Sequence, residues 1–186
     1  MSRAARTVVA RWQGWDDGSI EHLVLTIGED GVVAEGMHVS APAQAYAARY
    51  RIACSPDWRT RELECGLAGG GGRRLTADGA GSWWDEAGRP MEDLAGAIDP
   101  DLSISPFTNT LPIRRLDTSP GQGTEIVTAW VSFPDLSIHA DPQRYTCLER
   151  GRRWRYDSRD SDFTREIEVD GDGLVVTYPG LFRRIL

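Results

Sequence analysis

Apolar and polar residues alternate along most of the chain with a period of two, which is typical of half-buried β-strands. Leu23, Leu25 and Ile27 share one face of such a run, and residues 126–133 repeat the pattern. Turn pairs such as Asp30-Gly31 separate successive runs, as they do in β-hairpins. The pattern therefore predicts a mainly β protein built from antiparallel hairpins.

Two short segments depart from this alternation and predict the few helices of the fold. Ala41–Arg49 is rich in alanine, and Met91–Ala97 has the spacing of a single helical turn. They are too short to cover a wide sheet. The length of 186 residues suits one domain, so we expect residues 1–186 to form a single domain.

Composition and charge exclude several classes of function. The net charge is −7 and the pI is about 5.0, which argues against a nucleic-acid partner, since that needs a basic face. No apolar run is long enough to span a membrane, and the N-terminal residues do not read as a secretory signal. We therefore expect no integral membrane association and a cytoplasmic location. The sequence leaves the oligomeric state open.

The residue types that usually bind metals or cofactors are scattered. The three cysteines and three histidines show no metal-ligand spacing, so we expect no metal and no cofactor. Carboxylates are paired at Asp99/Asp101 and at Asp170/Asp172, but neither pair continues as a calcium loop. The nucleophile motif Gly-x-Ser-x-Gly is absent, so nothing indicates a serine hydrolase.

The most informative stretch is the central segment, residues 103–116. Its two prolines, Pro106 and Pro112, cannot donate to a sheet ladder, which predicts an extended segment at a sheet edge or a bend. Read as a strand, it places Arg115 on the same side as Leu111 and Ile113. An inward-facing arginine needs a partner, and the nearest candidate carboxylates are Asp99 and Asp101.

Arg114 then points the other way, together with Thr110. The sequence allows two interpretations of the two arginines: a structural clamp between parts of the sheet, or an anchor for a ligand. The seven tryptophans also have two readings, as core filling or as the wall of a cleft. Trp83 and Trp84 are adjacent in a strand, so one should be buried and the other should face a surface or a cleft.

The stretch Pro106–Arg115, read PFTNTLPIRR, resembles the signature of the bacterial proteins called putative glycolipid-binding proteins. Weaker support comes from Trp12, Glu21, residues 143–146 and residues 170–179. The resemblance implies a largely antiparallel β fold with a twofold internal repeat. It also implies similarity to the envelope carriers that hold lipoprotein acyl chains in a curved sheet. On this resemblance we expect the single domain to be a curved antiparallel sheet resembling a half-barrel, with a few short helices.

A short internal sequence similarity, here called the echo, agrees with such a repeat. Thr60–Glu64 reads TRELE and Thr164–Glu168 reads TREIE, and each follows an aromatic residue. We therefore expect two similar halves, about 1–100 and 101–186, with the echo strands in equivalent places.

These observations predict a protein that binds an amphipathic small molecule, such as a glycolipid or an acyl chain, without catalysis. Two alternatives stay open: a hydrolase or other enzyme acting on a lipid-like or glycosylated molecule, and a structural or partner-binding β module without a ligand. The predicted ligand-binding residues are the adjacent tryptophans, as an apolar wall, and polar or aromatic side chains of the family motifs: Trp83, Trp84, Asn109, Thr110, Arg114, Arg115, Gln143, Tyr145 and Tyr178.

Overall fold

The computed structural model describes residues 4–40 and 45–186. Within these ranges, fourteen strands form one curved sheet, accompanied by one short α-helix and two 3-10 helices. The strands are β1 Arg6–Gly14, β2 Ile20–Ile27, β3 Val32–Val39, β4 Ala47–Cys54, β5 Thr60–Leu67, β6 Gly72–Ala77, β7 Trp83–Trp84, β8 Ala97–Leu102, β9 Gly123–Val131, β10 Ile138–Glu149, β11 Arg153–Ser158, β12 Thr164–Val169, β13 Val175–Tyr178 and β14 Phe182–Arg184.

The strand order is β7-β6-β5-β4-β3-β2-β1-β14-β13-β12-β11-β10-β9-β8. Every pair is antiparallel except β8 and β9, which are parallel because the chain passes through the central segment between them. The first and last strands meet in the middle of the sheet, and β7 and β8 are its edges. The expected mainly β, curved antiparallel fold is confirmed.

The predicted hairpins are present where turn residues separate alternating runs. β2 and β3 pair over their full length around Asp30-Gly31, and β4 pairs with β5 across residues 55–59. Gly31 has a positive φ of 148°, and a Cβ there would collide with the carbonyl oxygen of Cys54. Only glycine fits this turn.

The core fills the inner side of the curved sheet. Side chains from both halves of the sheet, such as Leu23 and Ala129, are fully buried there. Phe107 and Leu111 of the central segment are also fully buried within this core, and the ring of Tyr50 stacks on Phe107 with centroids 6.5 Å apart. The central segment is therefore the plug that the sheet wraps around.

The prediction that the central segment is an extended edge was wrong. It forms a 3-10 helix, Pro106–Asn109, that runs into the α-helix α1, Thr110–Arg115. Ser105 is the N-cap, and its hydroxyl accepts a hydrogen bond from the backbone N–H of Phe107 at 3.2 Å. Pro106 occupies the first helical position and Pro112 the first turn of α1, where an N–H has no partner within the helix.

The two short helices predicted elsewhere have different outcomes. A 3-10 helix at Glu92–Leu94 confirms the helical turn expected within Met91–Ala97. In the predicted helix Ala41–Arg49, residues 41–44 lie outside the described residues, and residues 47–49 belong to β4. The predicted helix is wrong for residues 47–49, because burial alternates with a period of two along β4, as it does in a strand.

The expected internal repeat stays a prediction. The echo sequences lie in β5 and β12, each the fifth strand in its set of seven along the chain. Counted outward from the central β1–β14 pair, however, β5 is fifth on its side and β12 is third. Superposition of the two halves is the test, and the proposed boundary at residue 100 falls within β8.

Candidate functional site

The predicted ion pair of Arg115 is present. Its guanidinium bonds to Asp99 with Nη2 and Oδ2 2.5 Å apart, and the side chains are 10% and 0% exposed. The carboxylate comes from β8 and the arginine from the last turn of α1. This pair ties the plug to the edge of the sheet, which agrees with the structural interpretation of Arg115.

The second carboxylate of β8, Asp101, belongs to a buried polar network. It accepts hydrogen bonds from the hydroxyl of Thr108 at 2.8 Å and from Nε2 of Gln143 at 2.7 Å. The same nitrogen of Gln143 also donates to Asp141 at 2.6 Å. Burial raises the pKa of Asp101 to about 6, and the two hydrogen bonds lower it less.

This network borders a pocket of about 330 Å³ between the plug and the second half of the sheet, here called the aromatic pocket. Tyr156, Phe163 and Tyr178 form one wall, with ring centroids 5.9 to 6.4 Å apart. Asp101 and Asp141 face them. The other lining residues are Leu102, Ser103, Ser105, Asn109, Trp130, His139, Ser158, Ser161, Leu181 and Phe182.

Of the predicted ligand-binding residues, Asn109 and Tyr178 line this pocket. Asn109 is oriented from both ends, because its Oδ1 accepts from the hydroxyl of Tyr145 at 2.8 Å and its Nδ2 donates to the Pro106 carbonyl at 3.2 Å. Burial raises the pKa of the Tyr178 phenol well above its usual range, so the phenol stays neutral. Tyr145 and Gln143 lie directly behind the lining as its support.

Other predicted residues lie elsewhere. Thr110 is fully buried and donates to the Gly173 carbonyl at 2.9 Å. Trp83 is buried and its indole N–H donates to the Ala97 carbonyl at 2.7 Å, which links the two edges of the sheet. Trp84 is half-buried, as expected for the neighbour of a buried tryptophan. Neither tryptophan lines the aromatic pocket, so a ligand there would not meet them.

Arg114 differs from its neighbour. It is exposed, its guanidinium lies 5.1 Å from the centre of the Trp58 ring, and within residues 4–40 and 45–186 it has no salt-bridge partner. It lines a second pocket of about 290 Å³, here called the arginine pocket, which shares no residue with the aromatic pocket. The lining residues are Ile113, Arg114, Arg115, Leu116, Asp117, Thr118, Arg150, Gly151, Trp154, Val169, Asp170, Gly171 and Gly173.

The sequence analysis did not identify Asp141, Tyr156 and Phe163 as residues of the site. The position of Asp141 could have been inferred, because it lies two residues before Gln143 and therefore on the same face of β10. Tyr156 and Phe163 come from β11 and the turn that follows it, and only the folded sheet brings them to the plug.

A larger groove of about 780 Å³ lies against β2 to β6, and it contains none of the predicted residues. Charged side chains form much of its lining, among them Glu35, Arg49 and Arg73. Two of the lining residues, Glu64 and Arg74, form a salt bridge at 3.1 Å. We therefore place the candidate site in the aromatic pocket, where buried polar groups and rings converge.

Reactive or metal-binding groups do not add to this site. In the described part of the chain, no cluster of His, Cys, Asp and Glu could hold a metal ion. All three cysteines are buried and free, and burial raises the pKa of Cys54 to about 12 and that of Cys65 to about 11. Across residues 4–40 and 45–186, no helix is long and apolar enough to cross a membrane.

Comparison with known proteins agrees with this fold. A family model described as "Putative glycolipid-binding" matches residues 9–184. The crystal structure of a DUF1089-family protein from Pseudomonas aeruginosa is similar, with 33% identity and a TM-score of 0.78 over 94% of this chain and 95% of that one. A search of curated proteins gives no significant match. The chain therefore belongs to the family described as "Putative glycolipid-binding".

Proposed function

We propose that the protein binds an amphipathic small molecule of the glycolipid class, without catalysis, and holds its sugar in the aromatic pocket. The observation that carries the proposal is the convergence of an aromatic wall with Asp101, Asp141 and Asn109 in one pocket. Aromatic faces pack on the apolar faces of a sugar ring, and carboxylate and amide oxygens accept hydrogen bonds from its hydroxyls.

The charge of the pocket narrows the class of ligand. Asp101 and Asp141 line it, and none of the lining residues is an arginine. These carboxylates would repel an anionic head group of a ligand, whereas they would not repel a neutral, hydroxyl-rich one. A volume of about 330 Å³ is at the lower end for ligand pockets and suits one sugar ring.

The apolar part of the ligand has a path at the rim. Leu181, in the turn between β13 and β14, and Phe182, the first residue of β14, line the pocket, and Leu181 is 38% exposed. Each CH₂ group that an alkyl chain buries against such residues contributes about 0.8 kcal/mol. Affinity should therefore rise with chain length until the chain extends past the rim.

The plug limits how much of an acyl chain could enter the protein. Phe107, Leu111 and their neighbours fill the inside of the curved sheet with side chains. This favours a ligand held by its head group over a carrier that encloses a whole lipid tail.

A second candidate function, hydrolysis of a glycoside, has one observation in its favour. Oδ2 of Asp101 and Oδ2 of Asp141 lie 2.7 and 2.6 Å from the same nitrogen of Gln143. The two oxygens are therefore at most as far apart as the sum of these distances, a limit that allows the roughly 5 Å separation of retaining glycosidases. Against it, Asp101 is only 9% exposed and both of its oxygens already accept hydrogen bonds.

The test is calorimetric titration of the full chain with alkyl glucosides of increasing chain length, below their micelle concentration. We expect saturable binding that strengthens with chain length. Asp141→Asn should weaken binding about tenfold, because it removes a charge-assisted acceptor, and Phe163→Ala should weaken it by removing part of the wall. The matched control is Glu166→Gln, since Glu166 is an exposed carboxylate on β12 that does not line the pocket.

Two outcomes would contradict the proposal: no binding of any alkyl glucoside, or equal affinities for the wild type and both pocket variants. Incubating the same ligands with the protein and measuring released glucose tests the second candidate function. Release that disappears in Asp141→Asn would replace binding with hydrolysis.

A further inference from the structure

The arginine pocket carries chemistry that the proposed sugar site does not use. It lies where the end of α1 meets the β10–β11 turn and the β12–β13 turn. Its volume of about 290 Å³ is ample for a phosphate group with its substituent. The residues around it are rich in hydrogen-bond donors.

Arg114 supplies the charge and is held in place. Trp58, in the turn between β4 and β5, has a positive φ of 64° and places its buried ring 5.1 Å from the guanidinium carbon of Arg114. A bulky residue with positive φ is strained, and such strain concentrates at functional positions. The stem of Arg114 packs over Gly173, where a Cβ would approach its Cδ to 3.0 Å.

Two further groups of the pocket are buried polar atoms without a partner among the described residues. The indole N–H of Trp154 and the hydroxyl of Thr118 have no hydrogen-bond partner within residues 4–40 and 45–186, and these residues are only 4% and 5% exposed. Leaving a buried donor unsatisfied costs about 1–3 kcal/mol. Two such groups beside one arginine are therefore best explained by an acceptor that binds there.

The other charges around the pocket are already paired. Arg115 bonds to Asp99, Arg150 lies 3.2 Å from Asp117, and the carboxylate of Asp170 lies 2.6 Å from Arg184. Among the lining residues, Arg114 is the one charged side chain without a described partner of opposite charge. The pocket thus has one positive charge available.

We propose that the arginine pocket is a binding site for a phosphate group, either free or as part of a lipid head group. A phosphate oxygen accepts from the guanidinium of Arg114, and others accept from the N–H of Trp154 and the hydroxyl of Thr118. The site is separate from the aromatic pocket, so it stands or falls independently of the proposed function.

The experiment follows the indole N–H signals of the full-length, ¹⁵N-labelled protein by NMR while inorganic phosphate is added at constant ionic strength. Trp154→Phe identifies the signal of interest by its disappearance. We expect a saturable shift of the Trp154 signal. Arg114→Gln should weaken binding about tenfold, and Thr118→Val should weaken it as well.

The matched control is Arg152→Gln. It removes an exposed arginine of the β10–β11 turn whose side chain does not line the pocket. Its affinity for phosphate should equal that of the wild type. Co-sedimentation with phosphatidylcholine vesicles, with and without phosphatidic acid, separates the sources. Binding to the phosphatidic acid vesicles that Arg114→Gln reduces and Arg152→Gln does not assigns a lipid phosphate, and a phosphate shift without such binding assigns a free one.

The proposal is overturned if the Trp154 signal shows no saturable response to phosphate and the vesicles show no dependence on Arg114. It is also overturned if Arg114→Gln and Arg152→Gln weaken binding equally, because general charge would then explain the effect. Thermal melting of each variant checks that it is folded, which we expect because Arg114 and Arg152 are both exposed.

Discussion

At the scale of single residues, the two neighbouring arginines of the central motif have opposite environments. Arg115 is buried against Asp99, whereas Arg114 lies at the surface over the Trp58 ring. Adjacent residues of a helix point about 100° apart, so the same helical turn can hold Arg115 in the interior and Arg114 at the surface. The family motif thus combines a fold-forming residue with a candidate ligand-binding residue.

Replacing Arg115 should destabilise the protein far more than replacing Arg114. Arg115→Leu leaves the carboxylate of Asp99 buried without a partner, which costs roughly 3–5 kcal/mol. Arg114→Leu removes a surface cation–π contact worth about 1 kcal/mol or less. Urea denaturation measures both, and the double variant Arg115→Leu/Asp99→Leu should recover much of the loss. Equal effects of the two single substitutions would contradict the assignment.

Glu21 predicts a pH dependence of stability. Burial raises its pKa to about 8, and hydrogen bonds with Ser105 at 2.6 Å and Tyr50 at 2.5 Å lower it less. In the unfolded chain a glutamate ionises near pH ~4.3. The neutral side chain therefore stabilises the fold fully below that pH, and this contribution is lost as the pH rises towards 8.

The substitution Glu21→Gln keeps the shape of the side chain and removes the ionisation. The free energy of unfolding of the variant, relative to the wild type, should rise between pH 5 and pH 8 by up to about 1.4 kcal/mol per pH unit. Denaturation of both proteins at several pH values measures the difference, in which other titrating groups cancel. Parallel pH profiles would show that Glu21 is already ionised in the folded protein.

At the scale of elements, the sequence predicted the strands well because alternation reports one-sided burial directly. β2 and β3, for example, form a hairpin around Asp30-Gly31, where the pattern predicted a turn. The central segment was misread because its two prolines were taken as signs of a sheet edge, whereas they lie in the first turns of the 3-10 helix and of α1. The pairing of Arg115 with Asp99 was predicted nonetheless, since a buried charge needs a partner in either conformation.

The candidate site was predictable only in part, because segments that lie far apart in the sequence form it. Asn109 lies in the family motif and Tyr178 was singled out near the end of the chain, and both line the aromatic pocket. Tyr156 and Phe163 reach it because β11 and β12 pair in the second half of the sheet, which no local pattern encodes. Long-range strand order, therefore, decides which aromatic residues become a wall.

At the scale of the whole molecule, the plug connects the two halves of the sheet, which pair directly with each other at few positions. β1 and β14 pair over only three positions, Trp12 to Gly14 against Phe182 to Arg184. The plug contacts both sides, through Tyr50 on β4 and through Tyr145 on β10. The indole of Trp12 adds a further link, donating to the Val175 carbonyl at 2.8 Å.

This arrangement predicts that residues 1–186 unfold as a single cooperative unit. Phe107→Ala should lower the free energy of unfolding by about 3–5 kcal/mol, because it opens a cavity where the plug meets the core. Circular dichroism and tryptophan fluorescence should still report one coincident transition. The control Met37→Ala, at a side chain 61% exposed on the opposite face of the sheet, should change stability little. Two separate transitions in the wild type or in Phe107→Ala would show that the halves of the sheet fold independently and that the plug does not unite them.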